Sequence, residues 1–272
     1  MNQSAQALPP EIAGWFSARG WSPRRHQLDM LAAAQAGEHA LLVADTGAGK
    51  TLAGFLATLA DFAPSHLRAA ATPSGLHTLY VSPLKALAHD VRRNLVDPIG
   101  EMGLSIAVET RSGDTPAERK ARQRARPPDV LLTTPESLSL LLSYPEAGTL
   151  FADLRRVVID EVHAFATGKR GDLLALALTR LQALSPTMRR TALSATLADA
   201  DAFCRWLAPG GDAQHVRLVE GEVGAKPEVS ILLPEAGELP WSGHAATWAV
   251  PQLTRLIGAH RMTLIFANTR FL

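Results

Sequence analysis

HALLVADTGAGKT, residues 39 to 51, is an apolar run of strand character that passes into a glycine-bearing loop and then into a helix-like segment over 50 to 62. Phosphate oxygens need several donors at close range. Glycine backbones allow that approach, and the N-terminus of the following helix adds its partial positive charge. In the stretch ADTGAGKT (44 to 51), the spacing places Thr46, Gly47, Ala48 and Gly49 around a nucleotide phosphate chain. Lys50 then reaches the β and γ phosphates, and Thr51 offers a hydroxyl to Mg²⁺. The first position is Ala44 where the general pattern has glycine, so the match is to a variant of the loop.

Further near-continuous apolar runs, as expected of strands covered on both faces, occur at 77–83, 106–110, 129–135, 155–161, 189–196 and 262–268. Helix-like segments at 26–36, 84–101, 116–125, 136–143, 170–184 and 199–207 alternate with them, which predicts a parallel sheet with helices on both sides. In TPAE, Thr115 is expected to cap a helix, with Pro116 in its first turn and Glu118 as capping-box partner. LAPGGDAQH (207 to 215) breaks the pattern, and the following segment is rich in turn residues and carries two short β-like runs. A boundary is placed there, giving a domain over 1–208, a linker over 209–240 and a further segment over 241–272.

VVIDEVHAF supplies the second half of a nucleotide site. Three apolar strand residues, Val157, Val158 and Ile159, run into Asp160 and Glu161, and ligands bind at the C-terminal ends of strands in a parallel sheet. Asp160 is expected to hold Mg²⁺, and Glu161 to orient and deprotonate the water that attacks the γ-phosphate. His163 is one of nine histidines, and beside Glu161 it is read as relaying γ-phosphate state rather than titrating as a base.

Composition sets outer limits. The 272 residues are 47% hydrophobic, enough for at least one large core, and 27 basic residues against 26 acidic ones leave bulk charge silent about nucleic acid. The single cysteine, Cys204, rules out an internal disulfide and is read as packing. No apolar run is long enough to span a bilayer and the N-terminus does not resemble a secretion signal, so no membrane partner and a cytoplasmic location are expected.

ADTGAGKT with DEVH, followed by Ser194, Ala195 and Thr196, resembles a superfamily 2 helicase of the DExH-box type. The order also matches: His26 and Gln27 resemble the Q motif that reads adenine, and SPLKAL (82 to 87), RSGDT (111 to 115) and TTPE (133 to 136) resemble motif Ia, the GD-containing motif and motif Ib. GLHTLYVSPLKALAHDVRRNL, VETRSGDTPAERK and DEVHAFATGKRGDLLALALTRL look most like Lhr-type helicases, particularly the bacterial group associated with ATP-dependent DNA ligases. The resemblance implies an α/β fold, a parallel-sheet RecA-like P-loop NTPase domain. It implies ATP and Mg²⁺ as cofactors and a single nucleic-acid strand as partner, DNA favoured over RNA or a hybrid, with a functional tie to a ligase.

On that resemblance Ser82, Pro83 and Lys85 contact nucleic-acid phosphates, as do Thr134 and Pro135, with Gly113 and Asp114 shaping the turn between them. Ser194, Ala195 and Thr196 couple the nucleotide site to the nucleic-acid track. Gln27 pairs with adenine, with Arg24, Arg25 or Trp21 against its face. The five basic residues in ERKARQRAR (118 to 126) are read as a solvated helix face and LLALALTRL (173 to 181) as core. LIFANTR (264 to 270) is similar to motif IV, so 241–272 is expected to be the incomplete start of a second RecA-like domain, lacking the arginines that contribute roughly 10³ to 10⁵ in rate. Alone, the chain is then expected not to unwind nucleic acid. Two other readings stay open: a non-catalytic nucleotide- or nucleic-acid-binding module, and a P-loop kinase or small-molecule ATPase.

Overall fold

The computed structural model describes residues 8–67, 75–83, 91, 95–165, 168–222, 228–233 and 247–266. Two compact units are separated at Gly224 and Ala225. In the first, seven strands make one sheet: β1 (His39–Val43), β2 (Thr78–Val81), β3 (Val108–Arg111), β4 (Val130–Thr133), β5 (Arg156–Ile159), β6 (Arg189–Ser194) and β7 (Val216–Glu220). Their order is β3-β4-β2-β5-β6-β1-β7 and every pairing is parallel.

Helices α1 (Pro10–Ala18), α2 (Arg25–Gln35), α3 (Lys50–Asp61), α4 (Pro64–Leu67), α5 (Ala117–Ala125), α6 (Pro135–Ser143), α7 (Ala147–Leu150), α8 (Lys169–Leu184) and α9 (Ala200–Leu207) surround it. Residues 95–101 are also helical. Strand side chains alternate between two cores because successive residues point to opposite faces. Leu42, Tyr80, Leu132, Val158 and Leu193 join Phe16, Leu31 and Phe55 on one face. Leu41, Leu79, Leu131, Val157 and Ala192 join Leu138, Leu174 and Leu207 on the other. Each fully buried Leu, Val or Phe contributes about 1.5–3 kcal/mol.

The boundary expected at 208 is corrected by β7. Residues 216–220 run parallel along the whole of β1, from His39 against Val216 to Val43 against Glu220, so the first unit continues to Gly224. This strand falls within the segment in which the sequence showed two short β-like runs, and as an edge strand it buries only Val216 and Val219, so nothing local ties it to the first unit's sheet.

Three smaller expectations are also corrected. Thr115 does not cap α5: its Oγ1 accepts from Ser112 N at 2.9 Å and closes the preceding turn, while Pro116 takes the cap position with no side-chain bond. The 173–181 run is amphipathic rather than wholly core, since Leu176 is exposed beside buried Leu174, Ala177 and Leu178. Residues 262–266 form no strand, and Met262, Leu264, Ile265 and Phe266 are exposed. An extended run becomes a strand only when a neighbour takes its N–H and C=O groups, and no such partner occurs among the described residues.

The second unit contains α10 (Val250–Ala259), with Pro251 in its first turn, and an extended run over 228–233. Gln252 Nε2 donates to Leu233 O at 3.2 Å, joining the two. Among the described residues, no helix is long and apolar enough to cross a membrane.

Candidate nucleotide site and nucleic-acid face

Strand order assembles the site. The glycine loop follows β1 and the carboxylate pair follows β5, and β6 lies between them, so Ser194 at its end falls between the two loops. Ala44 N donates to Ser194 O at 3.0 Å, which ties the start of the loop to β6. Gly221, just after β7, donates its N–H to Val43 O at 2.8 Å, and a Cβ there would lie 2.4 Å from Ala44 Cβ. An alanine is accommodated at the loop's first position because the facing residue has no side chain.

Lys50 opens α3, and its Nζ donates to Ala44 O at 2.8 Å and Asp45 O at 3.1 Å. Both acceptors are neutral carbonyls, which take up two of the ammonium's three donors without cancelling its charge. In front of it opens a cleft of about 580 Å³ lined by Thr46, Gly47, Gly49, Lys50, Thr51, Asp160 and Glu161, with Trp15, Trp21, Phe55, Leu95 and Pro98 on its apolar side. Its size falls in the range of small-molecule sites, about 300–1,000 Å³.

Asp160 is buried and held at both oxygens. Glu161 N donates to Oδ1 at 2.8 Å, and the phenol of fully buried Tyr80 donates to Oδ2. Burial first, then the Asp160 carboxylate, push the Tyr80 phenol far above its ordinary value, so it remains a donor. Glu161 has φ 47°, a left-handed backbone uncommon for a residue with a side chain, and this turn ends β5. Thr51 and Asp160 offer oxygen ligands of the kind Mg²⁺ takes. Among the described residues no group of three or more His, Cys, Asp or Glu could hold a metal alone, so phosphates would have to complete such a site.

His163, in the 3₁₀ turn Val162–Phe165, joins the motifs. Its Nδ1 lies 2.9 Å from Ser194 Oγ and 3.3 Å from Glu161 Oε2. Ser194 Oγ spends its only proton on Thr196 O at 2.9 Å, so the imidazole Nδ1–H is the donor to Ser194. Ser194 is buried, Ala195 half-buried and Thr196 exposed.

His26 and Gln27 brace the loop from behind. His26 Nε2 is 3.0 Å from Ala48 O, and Gln27 Nε2 donates to Gly49 O at 3.4 Å. The Gln27 carboxamide oxygen accepts from Arg24 N at 2.9 Å, and the residue is buried. Its present contacts therefore serve the loop rather than a base in the cleft.

The loops assigned to nucleic acid use much of their polarity internally. Ser82 is fully buried at the end of β2, with its N–H bonded to Thr133 O at 3.1 Å. Thr134 caps α6, accepting from Ser137 N at 3.5 Å, and buried Pro135 is the helix's first residue. Gly113 and Asp114 are exposed in their turn, and Lys85 lies outside the described residues. The α5 cations are largely spoken for: Arg119 and Arg122 pair with Glu109 at 3.2 and 2.7 Å, Lys120 reaches Gly113 O at 2.8 Å, and Arg124 stacks 4.1 Å from the Tyr144 ring centroid.

Three features escaped the sequence reading. Tyr80 was legible only as a buried-strand tyrosine whose hydroxyl must find a partner. Arg19 sits 5.1 and 5.0 Å from the Trp15 and Trp21 rings and pairs with Glu101 at 2.6 Å, forming the cleft's aromatic wall, for which WFSARGW was the signal. Arg170 is the third, and no local pattern marks it.

Comparison with known proteins agrees with this geometry. The chain is 38% identical over 94% of its length to the Lhr helicase/probable uracil glycosylase of Mycolicibacterium smegmatis, and 36% identical over 96% to the Lhr helicase/uracil glycosylase of Escherichia coli. It spans 17% and 19% of those two proteins. The solved structure of Mycobacterium smegmatis helicase Lhr bound to ssDNA and AMP-PNP superposes with a TM-score of 0.79 at 35% identity, covering 97% of this chain and 34% of that one. Residues 24–203, which hold six of the seven strands, the glycine loop and the carboxylate pair, match the DEAD/DEAH box helicase family, and the chain belongs to that family.

Proposed function

We propose that this chain is the ATP-binding half of an ATP- and Mg²⁺-dependent translocase of Lhr type that moves along single-stranded DNA. The observation that carries the reading is His163, which bridges Glu161 in the cleft to Ser194 at the end of β6. A bridge from a hydrolytic carboxylate to the neighbouring strand end serves a protein that converts phosphate chemistry into movement. The solved Lhr relative, bound to ssDNA and AMP-PNP, supports the choice of DNA and ATP.

In this reading Lys50 exchanges its two carbonyl partners for the β and γ phosphates, and the glycine loop supplies backbone donors. Mg²⁺ held by Thr51 and Asp160 would neutralise charge on those phosphates. Glu161 orients the attacking water, and Tyr80 fixes the Asp160 carboxylate. Trp15, Arg19 and Trp21 form a wall against which a base can stack. The second unit fits the start of a second RecA-like domain: Val229, Ile231 and Leu233 alternate along an extended run, and Leu256 and Ile257 on α10 are exposed, as surfaces awaiting a larger sheet would be. A DNA-repair setting and the ligase association, which the resemblance to Lhr-type helicases implies, belong to the same proposal, as does the cytoplasmic location expected from the sequence.

The test is ATP hydrolysis by this chain and by a version extended through a second helicase domain, each with and without single-stranded DNA, with Glu161→Gln as control. DNA-stimulated, Glu161-dependent hydrolysis in the extended protein is expected. Hydrolysis indifferent to nucleic acid in both would sink the translocase reading and leave a nucleotide-binding module.

A further inference from the structure

Glu161 is followed by the 3₁₀ turn Val162–Phe165 and then by α8, which starts at Lys169. The two elements touch without slack. A Cβ added to Gly171, in the first turn of α8, would stand 2.1 Å from Phe165 O and 3.1 Å from Phe165 C, so the absence of a side chain there sets how closely the helix can approach the turn. The neighbouring residue, Arg170, reaches away from that contact. Its Nε donates to Glu136 Oε1 at 2.6 Å, and its Nη2 donates both to Glu136 Oε2 at 3.3 Å and to Pro83 O at 2.8 Å.

Glu136 is in the first turn of α6, after β4, and Pro83 directly follows β2. One guanidinium thus ties two separate loops at the C-terminal edge of the sheet to the helix that follows the carboxylate pair. Arginine suits the task because its planar fork offers five donors in fixed directions, where a lysine ammonium is a point charge on a flexible stem. Both partners of the ion pair are about half exposed, at 45% and 51%, and such pairs contribute little to stability. A geometric role accounts better for three bonds from one side chain.

We propose that Arg170 is a positioning residue that couples the carboxylate-bearing loop after β5 to the loops after β2 and β4. Any displacement of the 3₁₀ turn by events at Glu161 and His163 shifts Phe165, pushes on Gly171 and moves Arg170, which carries Pro83 and Glu136 with it. Nucleotide occupancy then sets how those two loops hold nucleic-acid phosphates, and by linkage nucleic acid sets nucleotide affinity to the same degree. The inference rests on the proposed reading of these loops as nucleotide and nucleic-acid sites. The route is separate from the His163–Ser194 bridge, which leaves β5 in the opposite direction across the sheet.

The experiment measures affinity of this chain for a fluorescent single-stranded DNA with and without saturating AMP-PNP and Mg²⁺, and for AMP-PNP with and without the DNA. For the unaltered chain the two ratios are expected to agree and to fall within roughly 5- to 150-fold, the usual range of allosteric coupling. Arg170→Ala is expected to bind each ligand alone within about twofold of the unaltered chain while the coupling ratio falls at least about threefold, the remainder being carried by the separate His163–Ser194 bridge. Arg170→Lys, which keeps the charge and loses the fork, is expected to behave like the alanine variant. Urea unfolding of each variant confirms that the fold persists.

A ratio preserved in Arg170→Ala overturns the proposal, as does rescue by lysine, which would reduce Arg170 to a phosphate-binding charge. Loss of DNA affinity without AMP-PNP also overturns it, because Arg170 would then be a direct contact. If the unaltered chain binds both ligands with a ratio of 1, the coupling inference fails and the functional reading stands. If it binds neither, the functional reading fails and this inference with it.

Discussion

His163 Nδ1 stands 2.9 Å from Ser194 Oγ, and that hydroxyl donates onward to Thr196 O at 2.9 Å, forming a short relay that crosses from β5 to β6. Ser194→Ala removes the middle of the relay and leaves His163 Nδ1 with Glu161 Oε2 at 3.3 Å. Because Ser194 is fully buried, loss of its hydrogen bonds is expected to cost about 1 kcal/mol of stability. ATP affinity should hold within about twofold, while DNA stimulation of hydrolysis falls at least about tenfold, equivalent to ~1.4 kcal/mol in the barrier. Steady-state hydrolysis with and without DNA in the extended protein decides it, and undiminished stimulation would remove the relay from the mechanism.

Lys50 is buried, and its ammonium rests on Ala44 O and Asp45 O. Lys50→Ala frees two carbonyls that neighbouring amides or water can satisfy, so unfolding should shift by no more than about 1–2 kcal/mol. Nucleotide binding should suffer far more, since the charge that meets the phosphates is gone. A loss of at least about 100-fold in AMP-PNP affinity, ~2.7 kcal/mol, is expected by calorimetric titration, and near-normal affinity would place the phosphates elsewhere.

The outline of the nucleotide site could be read from the sequence because its chemistry is local. ADTGAGKT and DEVH each put their polar residues within a few positions of a strand end, and six of the seven sheet strands lie in or overlap the strand-like runs picked out from the sequence. What could not be read depended on distant partners. Residues 216–220, within a segment already marked by β-like runs, belong to the first unit's sheet only through pairing with β1, and residues 262–266 did not become a strand, though their apolar content is higher. That Ser82 is buried and that Thr134 caps α6 likewise follow from the folded arrangement of the strand ends. Tyr80 and Arg170 act through residues 80 and 34 positions away, respectively, beyond the reach of any local pattern.

Two glycines inside helices should respond to alanine in opposite directions. Gly171→Ala places a Cβ 2.1 Å from Phe165 O, a backbone atom that cannot rotate aside, so α8 must shift from the 3₁₀ turn. Overpacking of this kind costs about 1–3 kcal/mol. Gly14, in the middle of α1, has nothing within 4 Å of its virtual Cβ, so Gly14→Ala should stabilise by about 0.5–1 kcal/mol. Urea midpoints for the two variants test both; an equal response would mean that the close approach at Gly171 is not tight in solution.

His39, at the start of β1, makes stability depend on mild acid. Its Nδ1 accepts from Arg190 N at 3.0 Å, a bond that only the neutral ring can make in this orientation. Burial first, then the charges of Arg189, Arg190 and His215, lower its pKa from 6.5 to about 4. In the unfolded chain the ring takes a proton below its ordinary value near 6.5, whereas in the folded chain it resists until about 4. Between those values the unfolded state binds more protons, so stability rises with pH across the window and is lost as pH falls through it. The full shift corresponds to about 3 kcal/mol at most. His39→Asn places a carboxamide oxygen near the Nδ1 position, keeps an acceptor for Arg190 N and cannot titrate. Urea unfolding at pH 7 and near pH 4.5 should show a smaller acid loss in the variant than in the unaltered chain, by about 2 kcal/mol. Other titrating groups are common to both proteins and cancel in the difference. Equal acid losses would show that His39 is protonated in the folded chain as readily as in the unfolded one, and that the arginines beside it do not set its charge.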